Sequence, residues 1–375
     1  MKVPEAASLR PLRVLFAPDY RKGLPYQHLL AEALAQHGVK VEFLSDYRRV
    51  LPLARGAAAA APDIVHLHWP EAYFARRRDM WDRLRVLRYP LDYWLTARRA
   101  PFVVTAHNLL PHNRGDEAGV FRNIRFTMRN AAAVFAHAQP ARQMIAETFG
   151  IAERLIEVIP FGDHAVTLGK PLDRDEARRL LGLPLQERIC LMFGTVSPYK
   201  GIREVVQLWS EARVPYRLVV AGPVLSADYA DSVRAAAKDA STIDLRLSPA
   251  WLDDAALRTW LSAVDCVIFN YTSIFTSGAG ALARSFGVPS ILPRSATTLD
   301  LGEPHMHVFR FESVQTDLRD AVERALATPC DYERAQDWRS RTSWDAVAAL
   351  TAPVYRRVAS RAIAGQHACA RRATT

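Results

Sequence analysis

Short apolar runs alternate with helical stripes along most of the chain. Continuous apolar runs that end at glycine, proline or polar residues are typical of buried strands. In the first half, this pattern predicts strands at residues 12–17, 39–44, 63–69, 101–106, 131–136 and 156–161. In the second half, it predicts strands at residues 189–193, 218–221, 243–247, 266–270, 290–292 and 308–311.

Amphipathic helical stretches fill the intervals between these strands. Residues 25–37 place several leucines on one face, Asp253 is a suitable N-cap for a helix at 253–263, and another helix is predicted at 278–286. Strands that alternate with helices build βαβ units around a parallel sheet. The pattern therefore predicts an α/β protein.

The length of 375 residues suits two α/β domains better than one core. Glycine, proline and polar residues at 162–172 indicate a linker. We therefore predict two doubly wound, Rossmann-like domains with a cleft between them, at residues 1–162 and 173–335. A helical segment and a basic tail follow at 336–375. Ligands of such sheets bind at the carboxyl ends of the strands, so functional residues are expected in the turns after them.

The turn after the strand at 189–193 combines glycine, a cation and a helix start. Gly194 ends the strand, Lys200 and Gly201 follow, and a helical pattern begins at Ile202. The free N–H groups of a helix start, with a lysine beside them, favour an anionic ligand such as a phosphate. The alternative interpretation is a strand-to-helix turn with a solvated lysine.

A second glycine-rich turn lies at residues 270–289. Its small residues let the backbone approach a ligand, and the helix that opens near Gly278 offers N–H donors. Two such turns in one domain suit a diphosphate, with Lys200 as the counter-charge. The residues predicted to bind this ligand are Gly194, Lys200, Gly201, Gly222, Tyr271, Thr276, Ser277 and Gly278.

The same segment also fits the G-x-G-x-x-A pattern of a nucleotide-dependent oxidoreductase, through Gly278, Gly280 and Ala283. Two features disfavour that interpretation. The turn before Gly278 is too long, because the strand ends several residues earlier. Asp300 lies well past the next strand, whereas a ribose-binding acid belongs at that strand's end.

The formal net charge of +10 favours anionic partners such as nucleotides, nucleic acid or acidic lipid. Residues 76–99 concentrate this charge, with eight arginines and three aspartates among aromatic and leucine side chains. This composition predicts a basic amphipathic segment on an anionic membrane surface, interrupted at Pro90. The alternatives are an exposed arginine-rich helix or, for the whole chain, a basic nucleic-acid-binding protein.

The remaining composition limits the compartment and the cofactors. No apolar run is long enough to span a bilayer, and the N-terminus lacks the apolar core of a signal peptide, so a cytoplasmic protein is expected. The cysteines are far apart and form no C-x-x-C pair, which predicts reduced thiols rather than a zinc site or disulfides. They are Cys190, Cys266, Cys330 and Cys369.

Four blocks of the sequence resemble a known family. They are DIVHLHWPE at 63–71, VVTAHNLLPH at 103–112, FGTVSPYKG at 193–201 and the segment 271–293. In this order they resemble bacterial exopolysaccharide glycosyltransferases of the GT-B fold. They are most similar to the xanthan-type GDP-mannose:glycolipid β-1,4-mannosyltransferases of glycosyltransferase family 94.

The resemblance implies that the two domains bind different substrates. The N-terminal domain would bind a polyprenyl-diphosphate-linked oligosaccharide. The C-terminal domain would bind a nucleotide sugar, for which GDP-mannose is the preferred candidate. Lys200 would neutralise the departing diphosphate, so that no metal and no other cofactor is needed. Such an enzyme would lie peripherally on the inner face of the cell membrane, without nucleic acid as a partner.

One departure from related enzymes bears on the mechanism. Retaining GT-B enzymes carry two glutamates eight positions apart around the equivalent turn, where this chain has Ile274 and Leu282. The resemblance therefore implies an inverting displacement assisted by a general base. A retaining enzyme with a UDP-sugar donor is the alternative.

Candidates for the general base follow predicted strands of the N-terminal domain. They are Glu71, His107 and Asp19. Glu71 is preferred, because Pro70 fixes the backbone before it and Trp69 can desolvate its carboxylate. His66 and His68 alternate with apolar residues, which predicts a strand with one polar face in preference to a ligand pair.

Overall fold

The computed structural model describes residues 10–21, 25–74, 80–110, 117–238, 240–272, 275–294 and 308–372. The chain divides into two compact units. Unit 1 comprises Met1–Gly162 and Trp344–Thr375, and unit 2 comprises Asp163–Ser343. Of the residues named above, Ile274 and Asp300 lie outside the described ranges.

The strands of unit 1 are β1 (Leu12–Ala17), β2 (Val39–Phe43), β3 (Ile64–His68), β4 (Phe102–Thr105), β5 (Ala133–Ala136) and β6 (Ile156–Val158). Its helices are α1 (Tyr26–Gln36), α2 (Pro52–Ala60), α3 (Met80–Ala97), α4 (Glu117–Asn130), α5 (Gln139–Phe149) and, at the C-terminus, α13 (Trp344–Arg372). The described strands form one parallel sheet in the order β2-β1-β3-β4-β5-β6. Every residue of β3, β4 and β5 is buried, as expected for central parallel strands covered on both faces.

The strands of unit 2 are β7 (Ile189–Phe193), β8 (Arg217–Pro223), β9 (Ile243–Ser248), β10 (Cys266–Ile268), β11 (Ser290–Pro293) and β12 (Val308–Phe311). Its helices are α6 (Arg174–Leu181), α7 (Ile202–Glu211), α8 (Ala227–Ala236), α9 (Asp254–Ala263), α10 (Gly278–Ser285), α11 (Leu318–Leu326) and α12 (Ala335–Arg341). Its described strands form a second parallel sheet in the order β12-β11-β10-β7-β8-β9. The predicted class of two Rossmann-like α/β folds is therefore confirmed.

The C-terminal helix belongs to unit 1 and is not a separate segment. Tyr355 and Val358 of α13 are buried in the same cluster as Phe16 of β1 and Leu30 of α1. Tyr355 Oη lies 2.5 Å from Nδ1 of His66 on β3. Helical periodicity in the sequence indicates that α13 has an apolar face. Only the structure shows that this face packs in unit 1, because the chain returns there after completing unit 2.

The predicted linker at 162–172 also departs from expectation. Residues His164–Thr167 form a short 3-10 helix, and Ala165 and Leu168 are buried in a core cluster of unit 2. The Asp163 carboxylate accepts the Ala165 N–H at 2.9 Å and pairs with Arg339 at 2.9 Å. These residues are therefore part of the folded core of unit 2 and not a flexible linker, because Ala165 and Leu168 within the polar stretch are buried there.

Helix α3 continues through Pro90, where the sequence predicted an interruption. Proline removes the N–H that would bond the carbonyl four residues earlier, which here is Val86. The side-chain amide of Asn123, on the adjacent α4, donates to that Val86 carbonyl at 2.8 Å. A buried partner from another helix therefore satisfies the carbonyl that Pro90 leaves unpaired.

A buried ion pair fixes the strands at the centre of unit 2. Asp265 precedes β10, accepts the Ile189 N–H at the start of β7 at 2.7 Å, and pairs with Arg178 at 2.8 Å. Cys190 and Cys266 lie in register on β7 and β10, buried and not joined by a disulfide. The β7 and β10 strands, from which both glycine-rich turns depart, are thereby held in fixed register.

Candidate functional site

Lys200 of unit 2 is buried at the carboxyl end of β7. It closes a short 3-10 helix, Pro198–Lys200, and leaves only 8% of its surface exposed. Its ammonium group donates to the carbonyl of Phe193 at 3.0 Å and lies 5.8 Å from the ring centre of Tyr271. The lysine is therefore a fixed cation at the carboxyl end of the strand, and the solvated interpretation is wrong.

Burial lowers the pKa of Lys200 from its ordinary value of 10.5 to about 8. The cause is desolvation, which disfavours the charged form. An approaching anion stabilises a lysine held in this way, because its charge compensates for the water interactions that burial removed. The turn is thus suited to binding phosphate oxygens.

Glycine is required where β7 and β8 approach each other. Gly194 has φ of 92°, and a Cβ added there would lie 2.5 Å from Lys200 Nζ. Gly222 has φ of 147°, and a Cβ there would collide with the Gly194 carbonyl. Both positions need a residue without a side chain, so the predicted glycine turns have a steric basis in addition to their backbone conformation.

The second predicted turn packs beside the first within unit 2. The side chain of Asn270, after β10, donates to the carbonyl of Gly201 at 2.8 Å. Tyr271 stacks on Tyr199 with ring centres 6.1 Å apart. Asn270 and Tyr271 therefore bring the segment that leads into α10 against the Lys200 turn.

Ser277 is the N-cap of α10, and its hydroxyl accepts the Gly280 N–H at 2.9 Å. The Tyr271 hydroxyl lies 3.3 Å from the same oxygen. Gly278, the first helical residue, is exposed, and Thr276 is half-buried. Ser277 thus positions α10, while the exposed Gly278 leaves the helix start accessible.

Unit 1 carries its own small, shallow recess at the carboxyl ends of β3 and β4. The residues that line it include Trp69, Glu71, His107, Asn108, Ile124 and Met128. Trp69 stacks on His107 with ring centres 3.9 Å apart and planes within 11°. The recess therefore brings two of the three predicted base candidates, Glu71 and His107, to one place.

Glu71 lies in a 3-10 helix, Pro70–Tyr73, directly after β3. The preceding Trp69 has φ of 48°, a left-handed conformation that is uncommon for a large side chain. Desolvation raises the pKa of Glu71 from 4.5 to about 7. A carboxyl with this pKa can accept a proton near neutral pH, which is the property of a general base.

Three histidines form a hydrogen-bonded chain beside this recess. His137 Nδ1 lies 3.0 Å from the Ile159 carbonyl, His137 Nε2 lies 3.3 Å from His107 Nδ1, and His107 Nε2 lies 3.0 Å from His68 Nδ1. A carbonyl can only accept, so neutral His137 must donate from Nδ1 and accept at Nε2. His107 then donates from Nδ1 and accepts from His68. Both ring nitrogens of His107 are thereby engaged.

Burial keeps His68 and His137 of this chain neutral. Desolvation lowers the pKa of His68 to about 3 and that of His137 to about 4. The pKa of His66 is also lowered well below 6.5, mainly by burial. His66 bonds Tyr355 and, at 2.8 Å, Thr105. His66 and His68 are fully buried, so the predicted polar face is an interior hydrogen-bonded cluster.

Asp19 lies at the end of β1 but is engaged differently. Its carboxylate accepts two hydrogen bonds from the Arg21 guanidinium, at 2.9 and 2.8 Å. The pairing also raises the pKa of Arg21. An ion-paired carboxylate is a weaker proton acceptor, which favours Glu71 over Asp19 among the candidates.

Comparisons with known proteins agree with this geometry. The sequence profile of Glycosyltransferase Family 4 matches residues 13–162. A GDP-mannose:glycolipid 4-β-D-mannosyltransferase of Xanthomonas campestris pv. campestris is 26% identical over 356 residues, which cover 90% of this chain and 92% of the relative. The protein is a glycosyltransferase. The resemblance predicted from the four sequence blocks is confirmed, and the comparisons favour a glycosyltransferase over the oxidoreductase and nucleic-acid-binding alternatives.

Solved structures confirm that this glycosyltransferase has the GT-B fold. Sucrose-phosphate synthase from Thermosynechococcus elongatus superposes with a TM-score of 0.69 at 16% identity, covering 94% of this chain and all of that one. HepE of Anabaena, in complex with UDP and glucose, superposes with a TM-score of 0.62 at 15% identity, covering 93% and 98%.

Two residues beside the candidate site residues escaped the sequence prediction. His137 follows β5 as His107 follows β4, so the same strand-end argument would have found it. Asn270 precedes the predicted Tyr271 and holds the two turns of unit 2 together.

Among the described residues, no group of three or more His, Cys, Asp or Glu is arranged to hold a metal ion. In the same ranges, no helix is both long and apolar enough to cross a bilayer.

Proposed function

We propose that this glycosyltransferase moves mannose from GDP-mannose to a lipid-linked oligosaccharide in exopolysaccharide synthesis. The observation that carries the proposal is Lys200, a buried cation between two glycine-bearing turns. The identity of the sugar and acceptor is supported by the relatives, which are named GDP-mannose:glycolipid 4-β-D-mannosyltransferases. Their similarity extends over 90% of this chain, so it includes both units.

In this proposal, Lys200 and the helix starts of α7 and α10 hold the diphosphate of the donor. As the bond between the anomeric carbon and the diphosphate oxygen breaks, negative charge collects on the leaving group. A fixed, desolvated cation stabilises that charge more strongly than a solvated one would. The proposal therefore assigns leaving-group stabilisation to the protein and requires no metal or other cofactor.

Glu71 is proposed as the general base of an inverting displacement. An acceptor hydroxyl attacks the anomeric carbon as the diphosphate leaves, and its proton passes to the Glu71 carboxylate. The pKa of about 7 supports Glu71 in this role. His107 has both ring nitrogens engaged with other histidines, and Asp19 is ion-paired. The burial of Leu282 in the core of unit 2 is consistent with the absence of a retaining-type carboxylate at that position.

A lipid-linked acceptor implies that the enzyme works at a membrane surface. We propose that it is peripheral, on the inner face of the cell membrane, where nucleotide sugars are available. This placement follows from the proposed acceptor and from the formal net charge of +10, which favours anionic lipid.

The donor is tested by thermal unfolding with GDP-mannose, UDP-glucose and UDP-glucuronate, each against Lys200→Met as a matched control. We expect GDP-mannose to raise the midpoint of the wild type most, and to have little effect on the variant. Stabilisation by UDP-glucose alone would refute GDP-mannose as the donor.

The stereochemical outcome is tested by NMR of the product made from GDP-mannose and a synthetic lipid-linked acceptor. We expect the anomeric configuration of the transferred sugar to be inverted. A retained configuration would refute the role proposed for Glu71 and support the retaining alternative.

A further inference from the structure

Helix α3 carries an exposed apolar stripe on the side that faces away from unit 1. Leu84, Leu87, Leu91 and Trp94 each leave between 51% and 68% of their surface exposed. At 100° per residue, these four positions fall within about 80° of one another around the helix axis. Four of the exposed large hydrophobic side chains of the described chain thus form one line about 15 Å long.

The opposite side of α3 is anchored in unit 1, so the stripe is presented on a rigid support. Val86, Tyr89 and Tyr93 are buried, and Tyr93 stacks on Phe102 of β4 with ring centres 3.9 Å apart. The Asn123 bond to Val86 keeps the helix continuous past Pro90. As a result, Leu91 and Trp94, which follow the proline, remain aligned with Leu84 and Leu87, which precede it.

The charges beside the stripe are positive. Arginines at positions 85, 88, 98 and 99 belong to the same stretch of chain, and the Arg98 guanidinium lies 4.4 Å from the ring centre of Trp94. The acidic residue among positions 84–99 is Asp92. It is buried and accepts the N–H groups of Leu53 and Ala54 at the start of α2. No carboxylate of this described segment therefore opposes an anionic surface.

We propose that this stripe is the surface by which the enzyme docks on an anionic lipid bilayer. A convex apolar line with arginines beside it and a tryptophan near its end fits a helix lying in the plane of a membrane interface. Leucines enter the acyl boundary while the arginines meet the lipid phosphates. The inference extends the proposed function, since it rests on a lipid-linked acceptor for its biological sense.

Vesicle co-sedimentation tests the docking surface directly. The wild type is compared with Leu87→Gln/Leu91→Gln/Trp94→Gln on vesicles of phosphatidylcholine with one quarter phosphatidylglycerol. Each lost leucine or tryptophan removes apolar burial, so the partition coefficient should fall at least about tenfold. The matched control replaces similarly exposed residues elsewhere, Leu180→Gln/Leu350→Gln/Trp251→Gln, and should partition like the wild type.

Salt and lipid charge complete the test. Wild-type binding should weaken when salt is raised to about 0.5 M or when phosphatidylglycerol is omitted, because both reduce attraction to the arginines. Failure of the wild type to bind anionic vesicles at low salt would overturn the inference. Equal partitioning of the stripe variant and the control variant would also overturn it.

Nucleotide binding separates this inference from the proposed function. The stripe variant should unfold at the wild-type temperature and retain the stabilisation given by GDP, because its substitutions lie on the surface of unit 1. Loss of vesicle binding with GDP stabilisation retained supports the docking surface. If GDP stabilises neither protein, the proposed donor is wrong, and the vesicle result still decides whether the stripe binds lipid.

Discussion

Replacing Lys200 with methionine should stabilise the empty protein while removing its affinity for the donor. The pKa of Lys200 falls from 10.5 to about 8 on folding because the side chain is desolvated. One pKa unit corresponds to about 1.36 kcal/mol, so holding the charged lysine in the folded state costs about 3.4 kcal/mol at neutral pH. Methionine keeps the length of the side chain without the charge.

The net gain should be smaller than this figure. Methionine loses the hydrogen bond to the Phe193 carbonyl, worth about 1 kcal/mol or somewhat more. We therefore expect the variant to be more stable by about 2 kcal/mol, which raises the melting temperature by roughly 4–8 °C for a unit of this size. The measurement is urea unfolding of wild type and variant without nucleotide.

The pH dependence fixes the sign of the effect. Below about pH 8 the lysine is charged in both the folded and unfolded states, and the full cost is present. Between about 8 and 10.5 the unfolded chain binds a proton that the folded chain does not, so wild-type stability rises with pH relative to the variant. The difference between the two proteins should therefore shrink over this range. A variant that is less stable than wild type at every pH would refute the reasoning.

Further predictions concern unit 1. Glu71→Gln should lower the turnover rate by a factor of about 10² to 10⁴ while GDP-mannose binding is unchanged. It should also abolish the increase in rate that the wild type shows as the pH rises through about 7. Full activity in this variant, with loss of activity in Asp19→Asn, would show that the base was misassigned. The free energy of unfolding should fall as the pH drops below 6.5, because His68 and His137 bind protons in the unfolded chain but stay neutral in the folded one. At pH 5 the loss should be about 4 kcal/mol for the pair. If His137→Gln shows the same pH slope as the wild type in urea unfolding, this prediction is contradicted. Asn123→Leu should destabilise by about 1–3 kcal/mol in urea unfolding by leaving the Val86 carbonyl unpaired, whereas Asn130→Leu at the exposed end of α4 should have little effect.

The alternation of apolar runs and helical stripes was sufficient to predict the strands of both sheets. Several strands are shorter than predicted, such as Ile156–Val158 within 156–161, because apolar residues continue into the loop after the ladder ends. The Lys200 turn was also predictable, since a glycine, a lysine and a helix start are adjacent in sequence. These features depend on local spacing, which the sequence displays directly.

Features that depend on distant residues were not predictable in the same way. The path of α3 through Pro90 depends on Asn123, which lies on another helix. The neutral state of the histidines depends on burial beside Tyr26, whose ring centre lies 5.7 Å from that of His68 and 5.8 Å from that of His137. In each case the sequence identifies one residue of the interaction, but its partner is distant in sequence and is brought to it only by the folded structure.

The return of α13 to the first sheet has a consequence for how the chain folds during synthesis. Residues 1–162 leave the ribosome before unit 2, yet Tyr355 and Val358, which pack in their core, are made after unit 2. Unit 2 is continuous in sequence and can complete its core before α13 of unit 1 has been made. Nascent chains should therefore become protease-resistant first in the middle, and a chain stopped at residue 343 should keep unit 1 exposed to chaperones and proteases.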